Sequence, residues 1–477
     1  MPCAVYVDTR LIQQFVFLSN ELKDIIGASY LVEHLFDKLI MLEECRLRGY
    51  EGGGNILLVF DSKASALDTV TKLSISAIGD CPGLLFSAVV MDDFDENNFE
   101  QSMQTLRSML AKEKDNRIAI TDLPSYGITA SCANTGLSAE FIDNGKPISE
   151  VIQAKRNVTQ PKIMQDDLHY FSTKPAYCFA EKFEEMGQDK GNDSHIAIVH
   201  IDGNGIGNLI RCQKSLRDIQ NVSVSIKQAV QFASKQMVNN LINMIPHCNH
   251  LSITTKGGKV ILPLRPIICG GDDITFVCEG RLALDLSIDF INAFEEFVNC
   301  NEFLSNYGIT CCAGIAIIKT KFPFYLAYTL AEDLCSNAKT VRNHRGIVNS
   351  MIDYHLLSGS QIGEIEVIRK KGNVNKDRNS TTAKPYSVSE LSLLMQNADQ
   401  LKKEWPTTRI MELREVLHQS QAEQNEFLVH MHSRNETLPC IGFDEFQREL
   451  FVDQKTIYAD MVEIIDLITY PQRKESK

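Results

Sequence analysis

The chain has 477 residues, 44% hydrophobic and 23% charged, with a formal net charge of −13. That length exceeds a single core and predicts two to four domains of ordinary globular composition, while the acidic balance argues against a long nucleic-acid partner, which would want a basic face. The longest apolar stretches, such as Gly83 to Met91, fall short of the ~20 residues of a membrane span. No signal-peptide pattern opens the chain, and the fourteen scattered cysteines include no C-x-x-C pair, so a cytoplasmic protein with reduced thiols is expected.

In chain order, Val5 to Asp8 reads as a short apolar strand, followed by a helical region through about Arg46. Asn55 to Phe60 and Leu84 to Met91 are the next strands, with polar helical segments between and after them. Residues 121–192 turn polar and are punctuated by Pro, Gly, Asn and Lys, which predicts an irregular connector. Strand and helix alternation resumes at His195 and runs to about Leu357. Beyond Ser360, a polar linker with the run Arg369-Lys370-Lys371, read as a solvated loop, leads into helical spacing at Val388 to Leu401, Arg409 to Gln419 and Lys455 to Ile468. The divisions are therefore 1–120, 121–192, 193–358 and 359–477.

Two of these regions repeat one pattern. Val5-Tyr-Val-Asp8 followed by Gly52-Gly53-Gly54-Asn55 parallels Val199-His-Ile-Asp202 followed by Gly270-Gly271-Asp272-Asp273. In each, a strand ends in Asp and a Gly-Gly turn enters another apolar strand, an ordered match that favours duplication. The second copy has two carboxylates where the first has Gly54 and Asn55.

Ile196 to Ile201 is rich in β-branched residues and predicts a buried strand closed by Asp202, and the glycines at 203, 205 and 207 allow close backbone approach to a ligand. Pro266 to Cys269 and Ile274 to Val277 predict a hairpin around the Gly-Gly-Asp-Asp turn. Strand periodicity would send Asp272 and Asp273 to opposite faces, but a turn can aim both at Asp202. Three converging carboxylates raise one another's pKa unless a cation joins them, and Mg²⁺ takes such oxygen ligands together with water and phosphate. Two such ions would serve an attack of a 3′-hydroxyl on an α-phosphate. Pro323 then starts a helix with Leu326, Leu330 and Leu334 on one face and with Lys339 and Arg342 in its last turn.

His200-Ile-Asp-Gly-Asn-Gly-Ile-Gly207, Arg265 to Val277 and Ala338-Lys339 resemble the active palm of the large subunit of type III CRISPR effector complexes, a family that makes cyclic oligoadenylates from ATP and is related to GGDEF cyclases. Gln13 to Leu35, with Lys23-Asp-Ile-Ile-Gly27-Ala-Ser29-Tyr, resembles that family's catalytically silent first palm, and Thr382 to Leu391 resembles the approach to its C-terminal helical domain. The resemblance implies an α/β (α+β) fold: two ferredoxin-like palm domains packed together, at 1–120 and 193–358, plus a C-terminal helical domain at 359–477. It places Asp202, Asp272 and Asp273 at catalytic and metal-binding positions, assisted by the Gly203 carbonyl. It assigns Asn204, Gly207, Gly270, Gly271, Lys339, Arg342 and Ser29, the last in a first-palm loop, to nucleotide binding. Departures are Asn204 where the family often has Asp, Cys132 alone where relatives carry a cysteine zinc site, and no HD nuclease domain. A stand-alone relative that uses Mg²⁺ or Mn²⁺, two ions, and no zinc is therefore expected.

The reading is a nucleotidyltransferase that joins nucleoside triphosphates, ATP first among them, into a cyclic nucleotide or oligonucleotide with release of pyrophosphate. Its protein partners would belong to a prokaryotic defence system, with no membrane partner. The alternatives are a linear nucleotide polymerase and a non-catalytic nucleotide-binding scaffold. Acidity weighs against a long template, and carboxylates kept in one copy but lost in the other weigh against a scaffold.

Overall fold

A computed structural model describes residues 2–36, 45–52 (backbone alone), 54–116, 128–158, 163, 171, 176–187, 195–248, 251–357 and 363–468. The protein is a mixed α/β structure. In the first region, β1 (Cys3–Arg10), α1 (Ile12–Val16), α2 (Leu22–Glu33), β2 (Cys45–Gly52), β3 (Asn55–Phe60), α3 (Lys63–Asp80), β4 (Leu85–Met91) and α4 (Phe99–Asp115) follow one another. Their strands form an antiparallel sheet in the order β2-β3-β1-β4. The predicted helix to Arg46 is thus corrected: Cys45 and Arg46 begin β2, the outer strand of a hairpin. Helical spacing in short polar runs cannot distinguish an edge strand from a helix.

Between the sheets, the predicted irregular connector carries a small hairpin of β5 (Phe141–Asp143) and β6 (Lys146–Ile148), then α5 (Glu150–Arg156). Much of 159–194 lies outside the described residues. Helix α5 packs on α2, where Arg156 binds the fully buried Asp24 through Nε at 2.6 Å and Asp143 through Nη1 at 2.7 Å. Further on, β7 (Tyr177–Phe179) pairs in parallel with a strand of the second region.

That second region runs β8 (His195–Asn204), α6 (Ile206–Arg211), α7 (Leu216–Met244), the ribbon β9 (Thr255–Lys256) and β10 (Lys259–Leu262), β11 (Leu264–Gly270), β12 (Asp273–Glu279), α8 (Ala283–Cys300), β13 (Thr310–Lys319), α9 (Phe324–Arg345) and β14 (Met351–Leu356). Its sheet has the order β11-β12-β8-β13, the same as the first, and β14 and β15 (Tyr386–Ser387) extend it beyond the predicted division at 358. Helix α7 is started by Ser215, whose hydroxyl accepts from the Asp218 N–H. Alternate residues of β8 bury on both faces: Ala197, Val199 and Ile201 join the core under α7 and α8, while Ile196 and Ile198 join the core with α9 and the first region.

Helix α1 and the turn after it meet α9. Phe17 packs at a tilt against Tyr328 with ring centroids 4.1 Å apart, Gln13 Nε2 donates to Glu332 at 3.0 Å, and the Phe324 N–H donates to Asn20 Oδ1 at 3.0 Å. Beyond 363, α10 (Ile365–Gly372), α11 (Val388–Glu404), α12 (Thr407–Val416), α13 (Gln421–Ser433) and α14 (Tyr458–Ile464) follow. The run Arg369-Lys370-Lys371 is not a solvated loop but the last turn of α10, and Arg369 is drawn in by a bidentate pair with the buried Asp353. The segment predicted from Lys455 to Ile468 is helical only over Tyr458–Ile464. Among the described residues, no helix is long and apolar enough to cross a membrane.

Candidate active site

Asp202 ends the core of β8, and the register sets it directly opposite Asp273, the first residue of β12. Gly270 pairs with Asp273, so Gly271 and Asp272 form a two-residue hairpin loop. The left-handed backbone of Gly271 (φ 65°) lets the chain reverse there without a Cβ clash. The Gly203 N–H donates to the Asp272 carbonyl at 3.3 Å, tying the turn to the end of β8. The three acids therefore lie at one end of the paired strands β8 and β12, Asp272 in the turn and Asp202 opposite Asp273.

The electrostatics follow from that crowding. Desolvation, then the charge of Asp202, pushes Asp272 up to about 6. Asp273 is driven well above the usual carboxylate range by burial, then by Asp272 and Asp202. Lys339, from α9, forms an ion pair with Asp202, and its ammonium also meets the Gly203 carbonyl at 3.4 Å. Burial would lower its pKa, but the Asp202 charge and hydrogen bond outweigh that and raise it. Lys339 thus holds a cation between the carboxylate and the carbonyl that the resemblance nominates for metal.

The donor set fits a divalent cation in its chemistry, with clustered carboxylates short of positive charge and a carbonyl already meeting a cation. It is not preassembled, since no group of three or more His, Cys, Asp or Glu side chains among the described residues is disposed to hold a metal ion. The other nominated residues scatter. Asn204 turns to β13, donating to Thr310 Oγ1 at 3.0 Å and Cys312 Sγ at 3.4 Å. Arg342 bonds the carbonyls of Val348 and Asn349, closing the turn after α9. Lys339 lies more than a turn before the helix end rather than in the last turn. Ser29 is on helix α2 and not in a loop, its hydroxyl donating to the Ile267 carbonyl of β11.

Cavities lie between the regions. One, of about 220 Å³, brings Ser29, Gln13 and Gly54 together with Gly270, Gly271 and Asp273. Another, of about 440 Å³, lies over Asp8 and Asn55, is edged by Arg107 and Lys114, and is faced by Gly207 and Arg211 of α6. The first region repeats three features of the site. Asp8 lies opposite Asn55, the Thr9 N–H donates to the Gly54 carbonyl at 2.8 Å, and Lys114 of α4 forms an ion pair with Asp8. Sequence reasoning missed Lys114, Arg107 and Arg211. Lys114 was within reach, because the helix after the fourth strand carries the paired lysine in both copies.

Residues 195–347 match the family model described as Cas10/Cmr2, second palm domain. No curated protein matches the sequence. Among solved structures, the fold is similar to the Csm1-Csm4 cassette in complex with one ATP, at TM-score 0.60 and 13% identity over 98% of this chain and 70% of that one. It is also similar to the same cassette in complex with cA4 (TM-score 0.58, 11% identity, 98% and 70%) and to Csm1 in T. onnurineus (0.58, 14%, 98% and 69%). The segment 195–347 thus belongs with the Cas10/Cmr2 second palm domain, in a chain whose fold is similar to that of Csm1 over nearly its whole length.

Proposed function

We propose that the protein is a nucleotidyltransferase that joins nucleoside triphosphates into a cyclic nucleotide or oligonucleotide at Asp202, Asp272 and Asp273. The observation that carries the reading is the register that sets Asp202 against Asp273 with Asp272 in the adjoining turn, Asp273 lining a cavity shared with the first region. ATP is the preferred substrate because the Csm1-Csm4 cassettes similar to this fold are in complex with ATP and cA4.

In the step proposed, the 3′-oxygen of one nucleotide bonds to the α-phosphorus of another. The bond from that phosphorus to the β-phosphate bridging oxygen breaks, pyrophosphate leaves, and the hydroxyl proton passes to solvent. Two divalent cations, when bound, would supply charge for the attacking and leaving oxygens. The three carboxylates and the Gly203 carbonyl would hold them. Lys339 offsets part of the acidic charge and orients Asp202. The first region would hold the acceptor nucleotide, with Asp8, Asn55 and the cation Arg107 at one cavity and Gly54 and Ser29 at the other.

The test is to incubate the purified protein with each labelled triphosphate and Mg²⁺ or Mn²⁺ and to identify the products by mass. Phosphodiester-linked products with release of pyrophosphate are expected from ATP. Intact triphosphates under all conditions would overturn the reading.

A further inference from the structure

Lys227 comes from the middle of α7, outside every motif, and lines the 220 Å³ cavity beside Gly270, Gly271 and Asp273. It is the only basic side chain among the described residues lining that cavity. The rest of the lining is mixed: Ile12, Val16, Val32 and Phe36 are apolar, Gln13 and Ser29 are neutral and polar, and Glu33 adds a carboxylate to that of Asp273. An amphipathic ligand can lay an apolar body on the first group and hydrogen-bond the second, but beside two carboxylates its anionic tail has Lys227 alone to meet, which is the demand a nucleotide makes.

Two observations direct the anionic part to Lys227. Lys339, the lysine nominated by sequence, is engaged by Asp202, whereas Lys227 is exposed and pairs with no carboxylate among the described residues. Gly270 has an ordinary backbone φ, and a Cβ there would meet nothing within 4 Å, so the fold makes no demand for glycine at that position. The space beside Gly270 is open, and a phosphate can approach the backbone there. A lysine on a four-carbon stem serves as a mobile point charge for such a group.

We propose that Lys227 is the phosphate-binding cation of this composite pocket, holding the polyphosphate of a nucleoside triphosphate beside the Gly270-Gly271 turn. The proposal rests on the nucleotidyltransferase reading but concerns binding, which is measurable without turnover.

The experiment is calorimetric titration of the full chain, wild type, Lys227→Ala and Lys227→Arg, with ATP, ADP and AMP in Ca²⁺. Lys227→Ala should weaken ATP about tenfold, as expected for one charge-assisted contact, and leave AMP nearly unchanged, with Lys227→Arg recovering most of the loss. ATP binding equal to wild type in Lys227→Ala, or an equal loss for AMP and ATP, would overturn the assignment while leaving the site reading intact. Failure of the wild type to bind any of the three would overturn both. Lys227 is exposed on a helix, so the alanine variant should keep the wild-type circular dichroism.

Discussion

Gly314→Ala should disable the site through the helix that packs on the same face of its sheet. Gly314 sits mid-strand in β13, opposite His200 of β8, where α9 crosses so closely that a Cβ would lie 1.9 Å from the Ala331 carbonyl oxygen and 2.4 Å from the Cys335 amide nitrogen. Both are backbone atoms of the helix, so no rotamer change relieves them. To reach an ordinary 3.4 Å contact, α9 must retreat locally by about 1.5 Å, and such overpacking costs on the order of 3 kcal/mol. Lys339 lies one turn beyond Cys335 on the same helix, so its contact with Asp202 would open together with the packing of Tyr328 against His200. A displacement of that size near reacting groups costs about a hundredfold in rate. Urea unfolding followed by circular dichroism reads the first effect and product formation from ATP the second. Gly79→Ala is the control: Gly79 is helical, a Cβ there would meet nothing within 4 Å, and the variant should be more stable by about 0.5–1 kcal/mol. Wild-type stability in Gly314→Ala would refute the close-packing argument, and so would equal loss in both variants.

Asp272→Ala or Asp273→Ala should cut product formation by several orders of magnitude, while stability without metal is unchanged or slightly improved because mutual repulsion is relieved; rate assays paired with thermal melts check this. Burial holds His355 at about 4 against 6.5 in the open chain, so the unfolded state alone takes a proton in that window and stability falls as pH drops from about 6.5 to 4. His355→Leu should make that fall shallower, by up to about 3 kcal/mol at pH 4, as read by urea midpoints across pH. With ATP, a linear 5′-triphosphate product should rise before any ring in a time course followed by mass. Cyclic product alone, with activity scaling as the square of protein concentration, would favour a symmetric dimer instead.

The sequence made the second sheet legible because its strands are β-branched runs broken by glycine turns, but the cross-strand placement of Asp202 and Asp273 depends also on the long-range pairing of β12 with β8, which the sequence left as a condition. What it hid depends on tertiary contacts. The run at Arg369 looked solvated because its partner, Asp353, stands on another element. Cys45 and Arg46 looked helical because an outer strand of polar residues carries no alternation of its own. Ser29 was read from a motif as a loop residue, although Ile25, Ile26 and Ala28 bury a helical face there. Lys227 was invisible because only the packing of α7 along β2 brings it to the cavity.

The difference between the two copies lies in their turns. Strand-end acid, paired lysine, cross-strand register and the turn-to-strand hydrogen bond are all present twice. In the second copy the left-handed residue is Gly271, the first of the loop, which leaves Asp272 with an ordinary backbone. In the first copy the second loop residue, Gly54, is itself left-handed at φ 78°. A side chain there would be strained by its backbone, and its Cβ would lie 2.5 Å from Ile12 Cδ1. The position equivalent to Asp272 therefore disfavours a carboxylate, chiefly through its backbone, and replacing Asn55 with Asp alone would restore at most one of the two missing acids. Ile12, whose Cδ1 would have to turn aside, also lines the 220 Å³ cavity at the active copy, so the side chain that crowds the first turn helps to shape the pocket beside the second. On the nucleotidyltransferase reading, the asymmetry is thus built into the backbone. One copy can gather three carboxylates as metal ligands, the other has Asp8 alone beside its cations and cavity, and each new bond must be made in turn at the same carboxylates.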